Sequence, residues 1–313
     1  MNITILGCGV YGTAIASTLL ENKTKVTIWN KFQNEIDNIK DNYKEITFTT
    51  NLEESINNTD LIIIALPVNF IEQTIKDLKP YYKGQDILIA SKGIDTNNNK
   101  FAYEIIRDIL NIENIGVISG GSFAIDMQNK KLLGLTLGTN TPSIKEKVKK
   151  HLENNYIKVQ YTTDIIGVSI CGSIKNVMAI AFGILDGSSY PESTRFLFLT
   201  KAIYEISYLI EQLNGNKSTI MSYAGLDDIM MTCTSSKSRN YTLGSLIGQN
   251  KNIEEIDNYK NSTTIEGLGT SKSIYNLAKE KNIHLPITNI IYNILYNNLE
   301  YTELIKYLEK NCW

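Results

Sequence analysis

Short apolar runs alternate with amphipathic stretches through the first half of the chain. The runs "NITIL", "KVTIW", "DLIIIAL", "DILIAS" and "IGVIS" are five to seven residues long and almost continuously apolar. That pattern predicts strands covered on both faces. Between the early runs lie segments with helical spacing, such as "TAIASTLLEN" and "NFIEQTIKDLKPYY". Strand and helix in alternation predict a parallel, doubly wound sheet. After "LLGLTLGT" and "IKVQYTT" the pattern stops, near Asp164. Beyond it the periods are helical: "RFLFLTKAIYEISYLIEQLNG", "TSKSIYNLAKEKN", "ITNIIYNILYNN" and "YTELIKYLEKN". The chain therefore divides into an α/β domain over residues 1–165 and an all-α domain over 166–313. A length of 313 residues suits two cores better than one.

One segment breaks the hydrophobic pattern from within. Within "GVSICGSIKNVMAIAFGILDG", the residues between Asp164 and Asp186 carry a single charged side chain, Lys175, followed by Asn176. The stretch is apolar enough to raise a transmembrane helix. A lysine at the centre of one costs about 2.5–3.5 kcal/mol, and no basic cluster flanks it, so no membrane span is expected. The alternative is a core helix with a desolvated ammonium, which is costly unless something compensates it. On this reading Lys175→Met, which removes that charge, leaves stability level or raised.

Composition narrows the function classes. The chain is 42% hydrophobic and 20% charged, with a formal net charge of -2. Such a balance does not point to nucleic acid or an anionic membrane as partner. Cys8, Cys171, Cys233 and Cys312 are far apart and form no CxxC pattern, and only His151 and His284 could join them. No metal site is expected, and reduced thiols in a cytoplasmic protein are the simplest reading. Met1 leads directly into "NITILGCG", with no basic segment ahead of it, so no signal peptide is expected.

The candidate chemistry begins at "GCGVYG". Gly7, Gly9 and Gly12 have the dinucleotide spacing G-x-G-x-x-G, between a strand and a helix opened by Val10 and Tyr11. Such glycines let a pyrophosphate approach the backbone at the positive end of the helix. An NAD-selective site usually places an acid at the end of the second strand. Here Asn30 and Lys31 stand there instead. Lys31 either pairs a 2′-phosphate, which tilts the expectation slightly toward NADPH over NADH, or is a solvated surface lysine. At the carboxyl ends of later strands, where such sheets bind ligands, come Pro67, Lys92 in "SKG", and Gly120-Gly121-Ser122. In the helical half, "GLDDIMMTCTSSKSRNYTLG" sets Ser238, Arg239 and Asn240 together, a combination suited to clamping phosphate or carboxylate. The apolar "IMMTC" suggests that Asp228 is buried and needs a cationic partner.

Taken in order, the blocks "GCGVYGTAIA", "ASKGI", "ISGGSFAIDM", "GVSICGSIKNVMAIAFGILDG", "AGLDDIMMTCTSSKSRN" and "TIEGLGTSKSIYNLAKEKNIHLPIT" resemble the soluble NAD(P)-dependent glycerol-3-phosphate dehydrogenases of bacterial type. The resemblance spans nearly the whole chain. It implies a Rossmann-type domain, a helical substrate domain and an active site in the cleft between them. The reaction implied is reversible reduction of dihydroxyacetone phosphate to sn-glycerol 3-phosphate, feeding glycerophospholipid synthesis, with NADP or NAD as cofactor.

By the same matching, Lys175 is the proton donor and acceptor at the substrate C2 oxygen, and Asp228 holds its ammonium. Lys92 is a second lysine bridging cofactor and substrate. Gly120 and Ser122 lie on the substrate loop, Ser238, Arg239 and Asn240 clamp the substrate phosphate, and Ala124, Arg239 and Glu266 face the cofactor. The chemistry is consistent, because ketone reduction develops negative charge on an oxygen that needs both an electrostatic stabiliser and a proton. The resemblance also suggests a homodimer. Departures from the family pattern are Gly121 in place of proline, Asp227 in place of glycine, the segment "SSYPESTRF" after "DG", and a shortened stretch between the second and third apolar strands. The rivals are another 2-hydroxy-acid or hydroxyacyl dehydrogenase of this architecture, and a catalytically idle NAD(P)-binding sensor.

Overall fold

The computed structural model describes residues 1–310; Cys312 lies outside them. The described chain folds into two compact units. The first takes Met1–Lys92 and Phe101–Ser169, and the second takes Gly93–Lys100 with the chain from Ile170 onward. Where the sequence pattern suggests one cut near residue 165, the structure places the short segment after Lys92 with the helical unit. Inside that unit the Gly93 N–H donates to Ser173 Oγ at 3.1 Å, and Ser273 Oγ donates to the Asp95 carbonyl at 3.3 Å. Hydrophobic periodicity cannot reveal such a return, because eight residues of loop carry no period.

The first unit is built on an eight-stranded sheet in the order β3-β2-β1-β4-β5-β6-β7-β8. The strands are β1 (Asn2–Leu6), β2 (Lys25–Trp29), β3 (Thr47–Thr49), β4 (Leu61–Ile64), β5 (Asp86–Ile89), β6 (Ile115–Ser119), β7 (Leu133–Thr139) and β8 (Ile157–Thr162). Pairing is parallel throughout except between β6 and β7. Every residue of β4, β5 and β6 is buried, as continuous apolar runs require of strands covered on both faces. The edge strand β3 escapes the sequence pattern: "TFT" is too short and too exposed to show a period. Chain order reverses at β1, which pairs β2 on one side and β4 on the other. Sheets of this kind bind ligands at the carboxyl ends of the strands flanking such a reversal.

The second unit is helical. The helix Ile165–Gly187, which contributes its residues from Ile170 on, is long and apolar enough to cross a membrane, yet 89% of its most apolar 18-residue window is buried inside the protein. It crosses the helix Arg239–Gly248 at very close range. A Cβ on Gly183 would lie 2.1 Å from the Tyr241 carbonyl oxygen, and one on Gly244 would lie 1.9 Å from that of Ile180. Gly187 and Gly248 repeat the contact one turn on. Glycine at four-residue spacing on both helices is what allows backbone to meet backbone here. The crossing sets the first turn of Arg239–Gly248 against the middle of the helix that carries Lys175.

Candidate active site

In the first unit the glycine-rich turn leaves β1 and enters the helix Val10–Glu21. Gly7 has φ +115°, which side chains rarely adopt. A Cβ on Gly12 would lie 2.3 Å from the Gly7 carbonyl oxygen, so only glycine lets the helix start this close to the turn. Gly9 is the N-cap, with no side chain to satisfy the first N–H groups, and a Cβ built on it meets nothing within 4 Å. Open space before uncapped N–H donors at the positive end of a twelve-residue helix is a cradle that fits a pyrophosphate.

Around this turn the unit gathers several residues singled out above. The Tyr11 hydroxyl lies 3.2 Å from Ser122 Oγ, and Lys92 Nζ stands 5.6 Å from the centroid of the Tyr11 ring. Ser122 is buried and also donates to the Gly120 carbonyl at 3.3 Å. Gly120 has a packing reason of its own, since its Cβ would sit 2.3 Å from the Gly134 carbonyl oxygen. Ala124 opens the short helix Ala124–Gln128 and packs on the core, whereas Val10 and Lys31 are exposed.

In the second unit, Lys175 and Asp228 form an ion pair, their side chains 6% and 0% exposed. The sequence argument that each needs a partner is thus met by one bond between the two. Thr232 Oγ1 donates to the same Asp228 oxygen at 3.3 Å, one turn along the helix Asp228–Thr234. Burial pushes the thiol of the neighbouring Cys233 up, the Lys175 charge opposing and the Asp228 charge assisting. Asp227, where the family pattern has glycine, sits at φ -60° and needs no glycine.

The asparagine after the lysine has a use that spacing could not show. Asn176 Nδ2 donates to Glu266 Oε2 at 3.0 Å, and Asn176 Oδ1 accepts from Asn240 Nδ2 at 2.9 Å. Asn240 Oδ1 in turn accepts the Gly267 N–H at 2.9 Å. This chain of amides fastens the helices Ile165–Gly187, Arg239–Gly248 and Glu266–Glu280 beside Lys175. Of the three residues expected to clamp phosphate, two have structural work. Asn240 belongs to the amide chain, and the buried Ser238 caps its helix, accepting the Tyr241 N–H at 3.3 Å. Arg239 alone is exposed, at the first residue of that helix. Its helix is pinned by Tyr241, whose hydroxyl bonds Asp186, and Asp186 also pairs with Arg195 from the altered "SSYPESTRF" segment. Among the described residues no three His, Cys, Asp or Glu side chains group as metal ligands.

The geometry supplies a buried ammonium held by a carboxylate and an exposed guanidinium at a helix start in the second unit, and an open, uncapped helix start behind a glycine turn in the first. Residues 2–145 match the family model described as NAD-dependent glycerol-3-phosphate dehydrogenase N-terminus, and residues 164–306 match its C-terminus. A curated Glycerol-3-phosphate dehydrogenase [NAD(P)+] from Staphylococcus carnosus is 33% identical, covering 98% of this chain and 97% of its own. Its counterpart from Staphylococcus aureus is 32% identical over 97% of this chain and 96% of its own. The crystal structure of glycerol-3-phosphate dehydrogenase from Coxiella burnetii superimposes with a TM-score of 0.92 at 27% identity, covering 99% of both chains.

Proposed function

Because the chain belongs to the NAD-dependent glycerol-3-phosphate dehydrogenase family, we propose that it catalyses the reversible NAD(P)H-dependent reduction of dihydroxyacetone phosphate to sn-glycerol 3-phosphate. The observation that carries the proposal is the buried Lys175–Asp228 pair, its lysine set in an apolar helix whose one other charged side chain, Asp186, stands near its C-terminal end. A side chain so costly to bury is retained for chemistry more readily than for packing.

When bound, the nicotinamide supplies a hydride to the ketone carbon. The residues of this chain do the rest. Gly7, Gly9 and Gly12 shape the turn, and the first N–H groups of the helix behind it, those of Val10 and Tyr11 included, hold the pyrophosphate. Lys175 stabilises the negative charge that grows on the C2 oxygen and gives it a proton, and in the reverse direction takes that proton back. Asp228 keeps the ammonium aimed, and Thr232 keeps the carboxylate aimed. Lys92 adds a second positive charge on the substrate, beside Ser122 and Gly120. Arg239 binds the substrate phosphate with its planar fork, helped by the start of its own helix. Ser238 and Asn240 serve by holding that helix, and Glu266 by anchoring Asn176; Ala124 and Glu266 border the cofactor.

The same reading places the protein in the cytoplasm, supplying glycerol 3-phosphate for phospholipid head groups. It also makes the protein a homodimer, which sedimentation velocity tests directly. The exposed Phe196, Leu197, Tyr204 and Tyr208 on the helix Glu192–Gln212 are in keeping with a second copy.

The test follows oxidation of the reduced nicotinamide with dihydroxyacetone phosphate and with unphosphorylated dihydroxyacetone. Charge-assisted contacts of the Arg239 kind are worth about 1.5–3 kcal/mol each. Arg239→Ala should therefore lose kcat/KM steeply for the phosphorylated ketone and little for the other. Part of the loss should fall in kcat, because remote binding energy also orients the ketone. Equal losses on both ketones would remove Arg239 as the phosphate reader, and with it the main ground for preferring this substrate to a 2-hydroxy acid.

A further inference from the structure

The end of β2 offers a dinucleotide no acid in sequence, only Asn30 and Lys31. Folding delivers a carboxylate there by another route. Five residues past Asn30, Glu35 lies on the short helix Gln33–Asp37, which turns its side chain back toward the strand end. Glu35 Oε2 accepts from Asn30 Nδ2 at 2.8 Å and from the Cys8 thiol at 3.9 Å. Asn30 is buried, donates also to the Phe32 carbonyl at 3.2 Å, and its Oδ1 accepts the Cys8 N–H at 3.4 Å. The carboxylate is thus moored to the middle residue of the glycine turn and to the last residue before Lys31. Burial raises the Cys8 thiol, and the charge of Glu35 raises it further.

Glu35 itself remains exposed, and so does Lys31. Neither takes part in an ion pair among the described residues. Two opposite charges therefore stand at the mouth of the cradle, but only the carboxylate is held in a fixed place. In folds of this kind the spot beyond the second strand is where adenosine ribose hydroxyls are read by an acid, or a 2′-phosphate by a cation.

We propose that Glu35 reads the adenosine ribose of the cofactor, accepting hydrogen bonds from the ribose hydroxyls of NAD(H) and repelling the 2′-phosphate of NADP(H). The inference rests on the reading that the glycine turn holds a dinucleotide, and it reverses the leaning that Asn30-Lys31 suggests. Selectivity of this kind combines an attraction to one ligand with a repulsion of the other, and one carboxylate provides both. Lys31 then neutralises part of the repulsion, which leaves NADPH accepted but weaker.

Direct titration of NADH and NADPH by calorimetry tests this without turnover. Wild type should bind NADH more tightly. Glu35→Gln keeps the length and an acceptor for Asn30 while removing the charge. It should weaken NADH and strengthen NADPH, moving the ratio of the two Kd values by about tenfold or more. Lys31→Gln should move it the other way, by weakening NADPH. Thermal melting of each variant checks that the fold is kept. A wild type that prefers NADPH, or an unchanged ratio in a folded Glu35→Gln, overturns the assignment to Glu35. Failure of wild type to bind either nucleotide would instead remove the dinucleotide site itself, and this inference with it.

Discussion

The glycine turn of the first unit and the lysine cluster of the second both prepare for charge, by opposite means. The turn works through missing atoms: no Cβ at Gly7, Gly9 or Gly12, and backbone N–H groups facing open space. Its donors are solvated until a ligand arrives, so they cost little while they wait. The cluster works through side chains removed from water, where Asp228 faces Lys175 and Thr232 steadies Asp228. A backbone site is robust to most changes beyond its glycines. A buried-charge site fails when any one partner goes.

The sharpest way to break that contrast is Lys175→Met. With the general-acid role proposed for Lys175, its loss should lower kcat by about 10²–10⁴-fold. Seen from the sequence alone, deleting a desolvated charge should leave stability level or raised. The structure reverses this, because Asp228 would be left fully buried without its cation. Breaking such a pair costs about 3–5 kcal/mol, while replacing both members with apolar groups is often neutral or better. Chemical denaturation should therefore find Lys175→Met destabilised and the double variant Lys175→Met/Asp228→Leu restored, with neither active. A stable single mutant would show that the pair is not a unit.

A second buried carboxylate sharpens the comparison through pH. Glu205 accepts the Ile287 N–H at 2.7 Å, the Thr288 N–H at 2.8 Å and the Thr288 hydroxyl at 2.7 Å, capping the helix Pro286–Tyr296 from another helix. Unlike Asp228, it is capped mainly by neutral donors. Burial pushes its carboxyl from an ordinary 4.5 up to about 7, against the pull of those three donors. Lys201 and Tyr307 stand near it, Lys201 Nζ lying 5.8 Å from the Tyr307 ring centroid, and the Tyr307 hydroxyl is raised first by burial and then by Glu205. A raised acid means that the folded state holds a proton the unfolded state has released. Stability is then full below the unfolded value and falls as pH rises through about 7, by a total on the order of 3 kcal/mol. Melting curves between pH 5 and pH 8 should show that fall, and Glu205→Gln should flatten it.

The smallest effect belongs to the turn. Tyr11→Phe removes the 3.2 Å contact with Ser122 but keeps the ring beneath Lys92. A single such bond is worth about 0.5–1.5 kcal/mol. Nucleotide Kd should change by no more than about tenfold, with kcat nearly untouched. A loss comparable to that of Lys175→Met would mean that side chains, and not backbone, carry the turn.

Much of this protein was legible in its residues, for reasons that differ by region. Apolar runs announced seven of the eight strands, most of them continuous because a covered parallel strand must be apolar at nearly every position. The three glycines announced the turn, because the left-handed φ of Gly7 and the close approach at Gly12 leave a mark at a constant spacing. Lys175 announced itself as the lone charge between Asp164 and Asp186, and the buried look of "IMMTC" required a cation for Asp228.

What the tertiary structure alone decided lies in contacts between distant segments. Among these are the bond joining Lys175 to Asp228, the amide chain from Glu266 through Asn176 and Asn240, and the return of Gly93–Lys100 to the helical unit. The carboxylate that Glu35 sends back to Asn30 belongs with them. Local sequence specifies what a segment must bury and how its backbone can turn, since both follow from neighbours along the chain. It does not specify which buried polar group will meet which, because that pairing depends on helix crossings such as the one at Gly183 and Gly244, set by packing over the whole unit.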